Sequence, residues 1–78
     1  MAIVSIRDID DRGEVYAIIE AKDVSCYAIE QAIYEAKERA RIECGADSWC
    51  VEDILDRINL PCEWKMTVPY FGELSVYV

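Results

Sequence analysis

The stretch that most constrains the fold is DVSCYAIEQAIYEAKERARIECG, Asp23 to Gly45. In it Cys26, Ile29, Ile33, Ala36, Ala40 and Cys44 recur at steps of 3, 4, 3, 4 and 4, the spacing of one face of an α-helix. Several of these residues are small, so the helix has to lie close to whatever it covers. Asp23 or Ser25 can cap its start, and Gly45 can end it in the left-handed conformation. Glu35 with Arg39, and Glu38 with Arg41, stand at helical pairing distance, each pair contributing about 0.2–0.5 kcal/mol. A helix with one apolar stripe needs an apolar surface to lie on, and the flanking segments read as strands.

Ala2 to Ile9 and Glu14 to Lys22 alternate. Ala2, Val4 and Ile6 share one face of the first segment, and Val15, Ala17, Ile19 and Ala21 share one face of the second. The connecting RDIDDRGE decides whether these faces coincide. A three-residue loop would turn Val4 and Ile6 away from Ala17 and Ile19. A four-residue loop, Asp10-Asp11-Arg12-Gly13, pairs Ile9 with Glu14, Ile6 with Ala17, Val4 with Ile19 and Ala2 with Ala21. The apolar sets then share one face, which fixes the register. Aspartate starts a type I turn well, and Gly13 can take the left-handed position that closes the loop.

DSWCVEDILDRINLP reads as a second, shorter helix. Asp47 or Ser48 can cap it, and Val51, Ile54, Leu55 and Ile58 form its stripe. Asn59 suits a left-handed end, and Pro61 forbids continuation. In CEWKMTVPYFGELSVYV, Trp64, Met66 and Val68 share a face, and Leu74, Val76 and Val78 share another, with PYFG as a turn between them. This predicts a second hairpin whose last strand is paired through Val78. The expected fold class is therefore α+β: an antiparallel sheet in element order β-β-α-α-β-β, with two helices packed on one face. The other face would carry Ile3, Ser5, Arg7, Ile9, Tyr16, Ile18 and Glu20. That set is apolar for a solvated surface and suits a second copy of the chain or another partner, although scattered surface apolars are also common.

Seventy-eight residues make one domain, 1–78, and a chain this short buries only about 60% of its unfolded surface. No run approaches the ~20 apolar residues of a membrane span, and no basic-then-apolar leader opens the chain, so the expected compartment is the cytoplasm. Cys26, Cys44, Cys50 and Cys62 form no C-x-x-C pair and there is no histidine, so zinc-finger spacing is missing. The cysteines are expected as free thiols packed in or near the apolar stripes.

In RDIDDRGE, Asp8, Asp10 and Gly13 fit three positions of a calcium loop. Arg12 and Ile19 then occupy ligand positions that need oxygen, so the loop is not a calcium site. No catalytic spacing surrounds the cysteines, and the three glycines form no phosphate loop. The chain is thus read as non-enzymatic, with no cofactor and no metal. Direct nucleic-acid binding needs a basic face, whereas the formal charge is −8, from 16 acidic and 8 basic residues. Such a charge keeps a small domain soluble, and it also draws in a basic partner. A turn needs one aspartate and one glycine, not four carboxylates. The expected partner-binding residues are therefore Asp8, Asp10, Asp11 and Glu14 at the hairpin, with Glu20. Tyr27, Glu30 and Tyr34 on the outer side of the long helix add the tyrosines that interfaces favour. The same tyrosines would equally suit packing against the second helix or the last hairpin.

In size, acidity, lack of histidine and α+β pattern, the whole chain resembles the small acidic proteins that phages and other mobile elements encode to disable host defences. The anti-CRISPR proteins are their best-known group. The resemblance rests on no motif and carries no individual residue across. It implies a non-enzymatic inhibitor that docks on a basic, nucleic-acid-handling protein. Two other readings stand beside it: a self-associating structural or regulatory module using the outer sheet face, and a small thiol-dependent protein using Cys44 and Cys50.

Overall fold

The structure, a computed structural model, describes residues 2–10, 14–65 and 72–78. Its elements are β1 (Ala2–Arg7), β2 (Val15–Ala21), α1 (Cys26–Cys44), α2 (Val51–Leu55), β3 (Glu63–Lys65) and β4 (Leu74–Tyr77). The class is α+β, and the sheet is mixed.

Helix α1 forms where its stripe and caps predict. The Ser25 hydroxyl accepts from the Ala28 N–H at 3.1 Å. Gly45 ends the helix at φ 96°, its N–H donating to the Arg41 carbonyl. Ile29, Ile33, Ala36 and Ala40 are fully buried, while Cys26 and Cys44 at the two ends of the stripe are half-buried. Arg41 pairs with Glu38 at 2.8 Å. Arg39 donates instead to the Arg57 carbonyl. Asp23 does not cap the helix; it takes φ 60° just before it, a conformation aspartate tolerates better than most residues.

The β1–β2 hairpin has the register that alternation demands: Ala2 faces Ala21, Val4 faces Ile19 and Ile6 faces Ala17. Nearer the loop the expected pairing of Ile9 with Glu14 is replaced. Arg7 pairs with Val15, and the Asp8 N–H donates to the Glu14 carbonyl. One extra residue, Tyr16, is therefore accommodated in β2 as a bulge, a device that re-aims a side chain. Tyr16 was expected on the outer face; its ring instead packs against the core beneath the helices. Asp11, Arg12 and Gly13, the remainder of the expected loop, lie outside the described residues.

The second hairpin does not form. The strand order is β3-β2-β1-β4, so β3 and β4 occupy opposite edges. β4 pairs with β1 in parallel, Val4 with Leu74 and Ile6 with Val76, and β3 pairs with β2 antiparallel, Trp64 with Ile19. The Val78 N–H donates to the Arg7 carbonyl and its own carbonyl accepts from the Ile9 N–H, which anchors this strand on β1. The antiparallel-only sheet is thereby corrected. Met66, Val68 and the turn residues Pro69 to Phe71 lie outside the described residues.

α2 starts later than expected. Cys50, not Asp47 or Ser48, stands at its N-cap, because the Asp53 carboxylate reaches back to the Cys50 N–H at 2.9 Å. Asn59 is not left-handed; among the described residues only Asp23 and Gly45 have positive φ. Ile54 and Leu55 join α1 residues and the inward faces of β1, β2 and β4 in one core, so both helices cover the same side of the sheet.

The other side is not an open apolar face. Ile18 is 1% exposed and Ser5 is fully buried. The run Ala17-Ile18-Ile19 is buried at every residue, the pattern of a strand covered on both faces. The Ser5 hydroxyl accepts from the Gly72 N–H at 2.6 Å, and the Glu73 N–H donates to the Ile3 carbonyl at 2.8 Å. At Gly72 a Cβ would stand 2.7 Å from the Ile3 carbonyl oxygen and 2.9 Å from the Ser5 nitrogen. Both are backbone atoms that cannot step aside.

Two stability outcomes follow. Ile18→Ala is expected to cost about 2–4 kcal/mol, where an exposed outer-face isoleucine would change stability by less than about 0.5 kcal/mol. Gly72→Ala is expected to destabilise by at least about 2 kcal/mol, through separation of β4 from β1. Urea midpoints compared with wild type check both, and a midpoint within error of wild type for either variant would contradict the burial described.

Candidate functional site

The hairpin end is built around Asp8. Its Oδ1 accepts from the Asp10 N–H at 2.8 Å, the local aspartate turn that this spacing favours. Its Oδ2 accepts from the Tyr16 hydroxyl at 2.5 Å. The bulge in β2 is what brings that hydroxyl within reach. Donation to a carboxylate stabilises the neutral phenol, and partial burial and the charges of Asp8, Glu14 and Asp10 act in the same direction. The Tyr16 pKa is pushed up to about 12. Asp8 is half-buried, while Asp10 and Glu14 are exposed. Among the described residues no cation forms an ion pair with Asp10 or Glu14.

Beside these carboxylates lies a groove of about 520 Å³, lined by Asp8, Asp10 and Tyr16 from the hairpin and by Lys37, Trp49 and Cys50 from the helix layer. The Lys37 ammonium sits 5.6 Å from the centre of the Trp49 ring, a cation–π arrangement. The groove thus places carboxylates beside an aromatic face on which Lys37 lies.

The expected binding residues do not form one surface. Asp8, Asp10 and Glu14 gather at the hairpin end; Asp11 lies outside the described residues. Tyr34, 43% exposed, is one helical turn from Lys37 but lines a separate groove with Glu35, Glu38, Arg39 and Asn59. Half-buried Glu30 lies a further turn away. Tyr27 is 73% exposed but stands ~15 Å along the helix axis from Lys37. Neither tyrosine is packed away beneath α2. Glu20 belongs elsewhere: it pairs with Ile3 and Glu63, on the side of the sheet that the helices do not cover. With Asp23 and Glu63 it lines a second groove of about 680 Å³ at the opposite end of β2.

Trp49 and Lys37 were missed in the sequence. Trp49 sits in the α1–α2 connection with no periodicity to place it, and Lys37 flanks the apolar stripe like any surface lysine. All four cysteines are free, as expected, and Cys26 and Cys62 pack against the core; Cys50 differs in being exposed. Among the described residues no group of three His, Cys, Asp or Glu side chains is placed to hold a metal ion, and no helix is long and apolar enough to cross a membrane.

Comparison with known proteins identifies no relative: no protein-family model, no curated protein and no solved structure matches the chain.

The Tyr16–Asp8 bond gives a pH signature. A phenol whose folded pKa is raised contributes stability that is fully present below its ordinary value of 10.0 and is lost as pH rises through about 12. Ultraviolet titration should show a phenol ionising near pH 12, above the ordinary value of 10.0. Asp8→Asn should return it toward its ordinary range, and Tyr16→Phe should remove it at a cost of about 1 kcal/mol. A wild-type titration curve unchanged by Asp8→Asn would show that the bond is not made.

Proposed function

We propose that the chain is a non-enzymatic protein that binds and inhibits a basic, nucleic-acid-handling protein partner, in the manner of anti-CRISPR and other anti-defence inhibitors. The observation that carries this reading is the separation of charge. The described cations are largely committed to the chain's own structure. Arg57 holds Glu43 at 3.2 Å and Asp53 at 3.7 Å, Arg41 holds Glu38, Lys37 lies on Trp49, and Arg7 lies over the Tyr77 ring at 5.7 Å. Asp10 and Glu14 stand exposed at the mouth of an aromatic groove, so the field at the hairpin end is negative. Charge of this kind acts chiefly on the rate of encounter, and the groove supplies the desolvated contact that holds a partner's basic side chain. A basic nucleic-acid site presents the lysines and arginines that such a surface meets.

Docking is assigned to the hairpin end and its groove. Glu20 and Tyr27 lie too far around the molecule to share that contact. Self-association through the helix-free face is less well supported, because Ile18 and Ser5, which would form its centre, are already buried within the chain.

The test starts with affinity capture from the organism that meets this protein, wild type against the double variant Asp10→Lys with Glu14→Lys. The captured protein is expected to be basic and to lose its nucleic-acid activity on binding. At low salt the double variant should associate at least about tenfold more slowly, with dissociation changed less. Glu52→Lys on α2, away from the groove, should leave association near wild type. An unchanged association rate for the double variant would overturn the electrostatic docking. A captured partner that keeps its activity would overturn the inhibitory role.

A further inference from the structure

The junction between the helices holds a pair of thiols whose chemistry docking does not use. Cys44 is the last residue of α1 and Cys50 is the N-cap of α2. The chain between them folds back through a turn closed by the Ser48 N–H on the Gly45 carbonyl at 3.1 Å. Asp53 Oδ2 accepts from Cys50 Sγ at 3.3 Å. Arg57 completes the group, with one guanidinium nitrogen 3.5 Å from Cys44 Sγ and another 3.7 Å from the Asp53 carboxylate. Two thiols linked through one carboxylate–guanidinium pair, Cys50 exposed on Asp53 and Cys44 half-buried on Arg57, form the arrangement of an attacking and a resolving cysteine.

We infer that Cys50 and Cys44 form a thiol–disulfide exchange site that takes low-molecular-weight disulfides and closes as a Cys44–Cys50 bond. The exposed Cys50 thiolate attacks one sulfur of the small disulfide. That S–S bond breaks, one small thiol leaves and takes up the proton Cys50 gave to solvent, and a mixed disulfide remains on Cys50. The Cys44 sulfur then attacks Cys50 Sγ, the Cys44–Cys50 bond forms, and the second small thiol leaves with a proton. Two protein thiols are oxidised and one disulfide is reduced to two thiols. The Asp53–Arg57 pair links the two sulfurs, and the Arg57 guanidinium favours the thiolate that develops on Cys44. Burial is the main cause pushing the Cys44 thiol up, so the closing step should quicken as pH rises above neutral.

Cys50 and Trp49 also line the groove beside the hairpin. Closing the bond therefore alters one wall of that groove, and this consequence rests on the docking proposed above. The bond itself does not, and a mass measurement without any partner separates the two.

The experiment incubates the folded chain with oxidised glutathione under native conditions. Intact mass and peptide mapping are followed with time. Wild type is expected to lose about 2 Da, with Cys44 and Cys50 in one linked peptide pair and Cys26 and Cys62 unlinked. Cys44→Ser is expected to stop at the mixed disulfide on Cys50 and to keep it at least about tenfold longer than wild type. A wild-type chain that retains glutathione on Cys50 without linkage would overturn the proposal, as would one that leaves Cys50 unmodified or links other cysteines equally. Wild-type mapping decides the matter even where the serine variant does not fold.

Discussion

The structure depends on β1 being paired along both edges. Its hairpin with β2 is local, but its parallel ladder with β4 joins the two ends of the described chain. Once β4 takes that edge, β3 is left to pair with β2 on the far side. Gly72 fits because its missing side chain lets two backbones approach within contact distance. The burial of Ser5, whose hydroxyl accepts from the Gly72 N–H, belongs to the same contact. A sheet with its central strands covered on both sides retains more apolar area than a two-layer fold of equal length, which matters in a chain this short.

The helix layer has its own fastening. The small residues Ala32, Ala36 and Ala40 let α1 settle close to the sheet, but α2 is only five residues long and has little propensity to stand alone. Arg57, immediately beyond it, supplies what length does not. It reaches Glu43 and Cys44 at the end of α1 and Asp53 in α2, and its carbonyl accepts from Arg39. These contacts are partly exposed and individually modest. Together they fix the direction of the connection that carries Trp49 and Cys50, so the groove wall and the thiol pair share one support.

What could be read from the sequence follows the range of the interactions. α1 was legible to its caps, because its stripe, Ser25 and Gly45 all act within a few residues. The hairpin register was legible because only one loop length brings the two apolar sets to one face, although the bulge at Tyr16 was not. The partner of β4 was illegible for a definite reason. Alternation in Leu74, Val76 and Val78 decides which face is apolar, and that face is the same whether the strand pairs with β3 or with β1. Choosing between them needs the fit of Gly72 on β1, which lies about seventy residues away in sequence. The candidate site divides in the same way. Its carboxylates are adjacent in the chain and were visible; Lys37 and Trp49 reach them only through the packing of α1 on the sheet.

That division also changes how the acidity of the first hairpin is understood. Asp8 has a structural role, since it accepts from both the Asp10 amide and the Tyr16 hydroxyl. A carboxylate with two donors and partial burial anchors the bulge and needs no partner to explain it. Asp10 and Glu14 have no such role in their side chains, and each adds negative charge beside the other, which raises the free energy of the folded hairpin slightly. Lysine or neutral residues at these two positions would fold as well. The folded structure therefore accounts for Asp8, and among the described residues it pairs neither the Asp10 nor the Glu14 carboxylate with a cation.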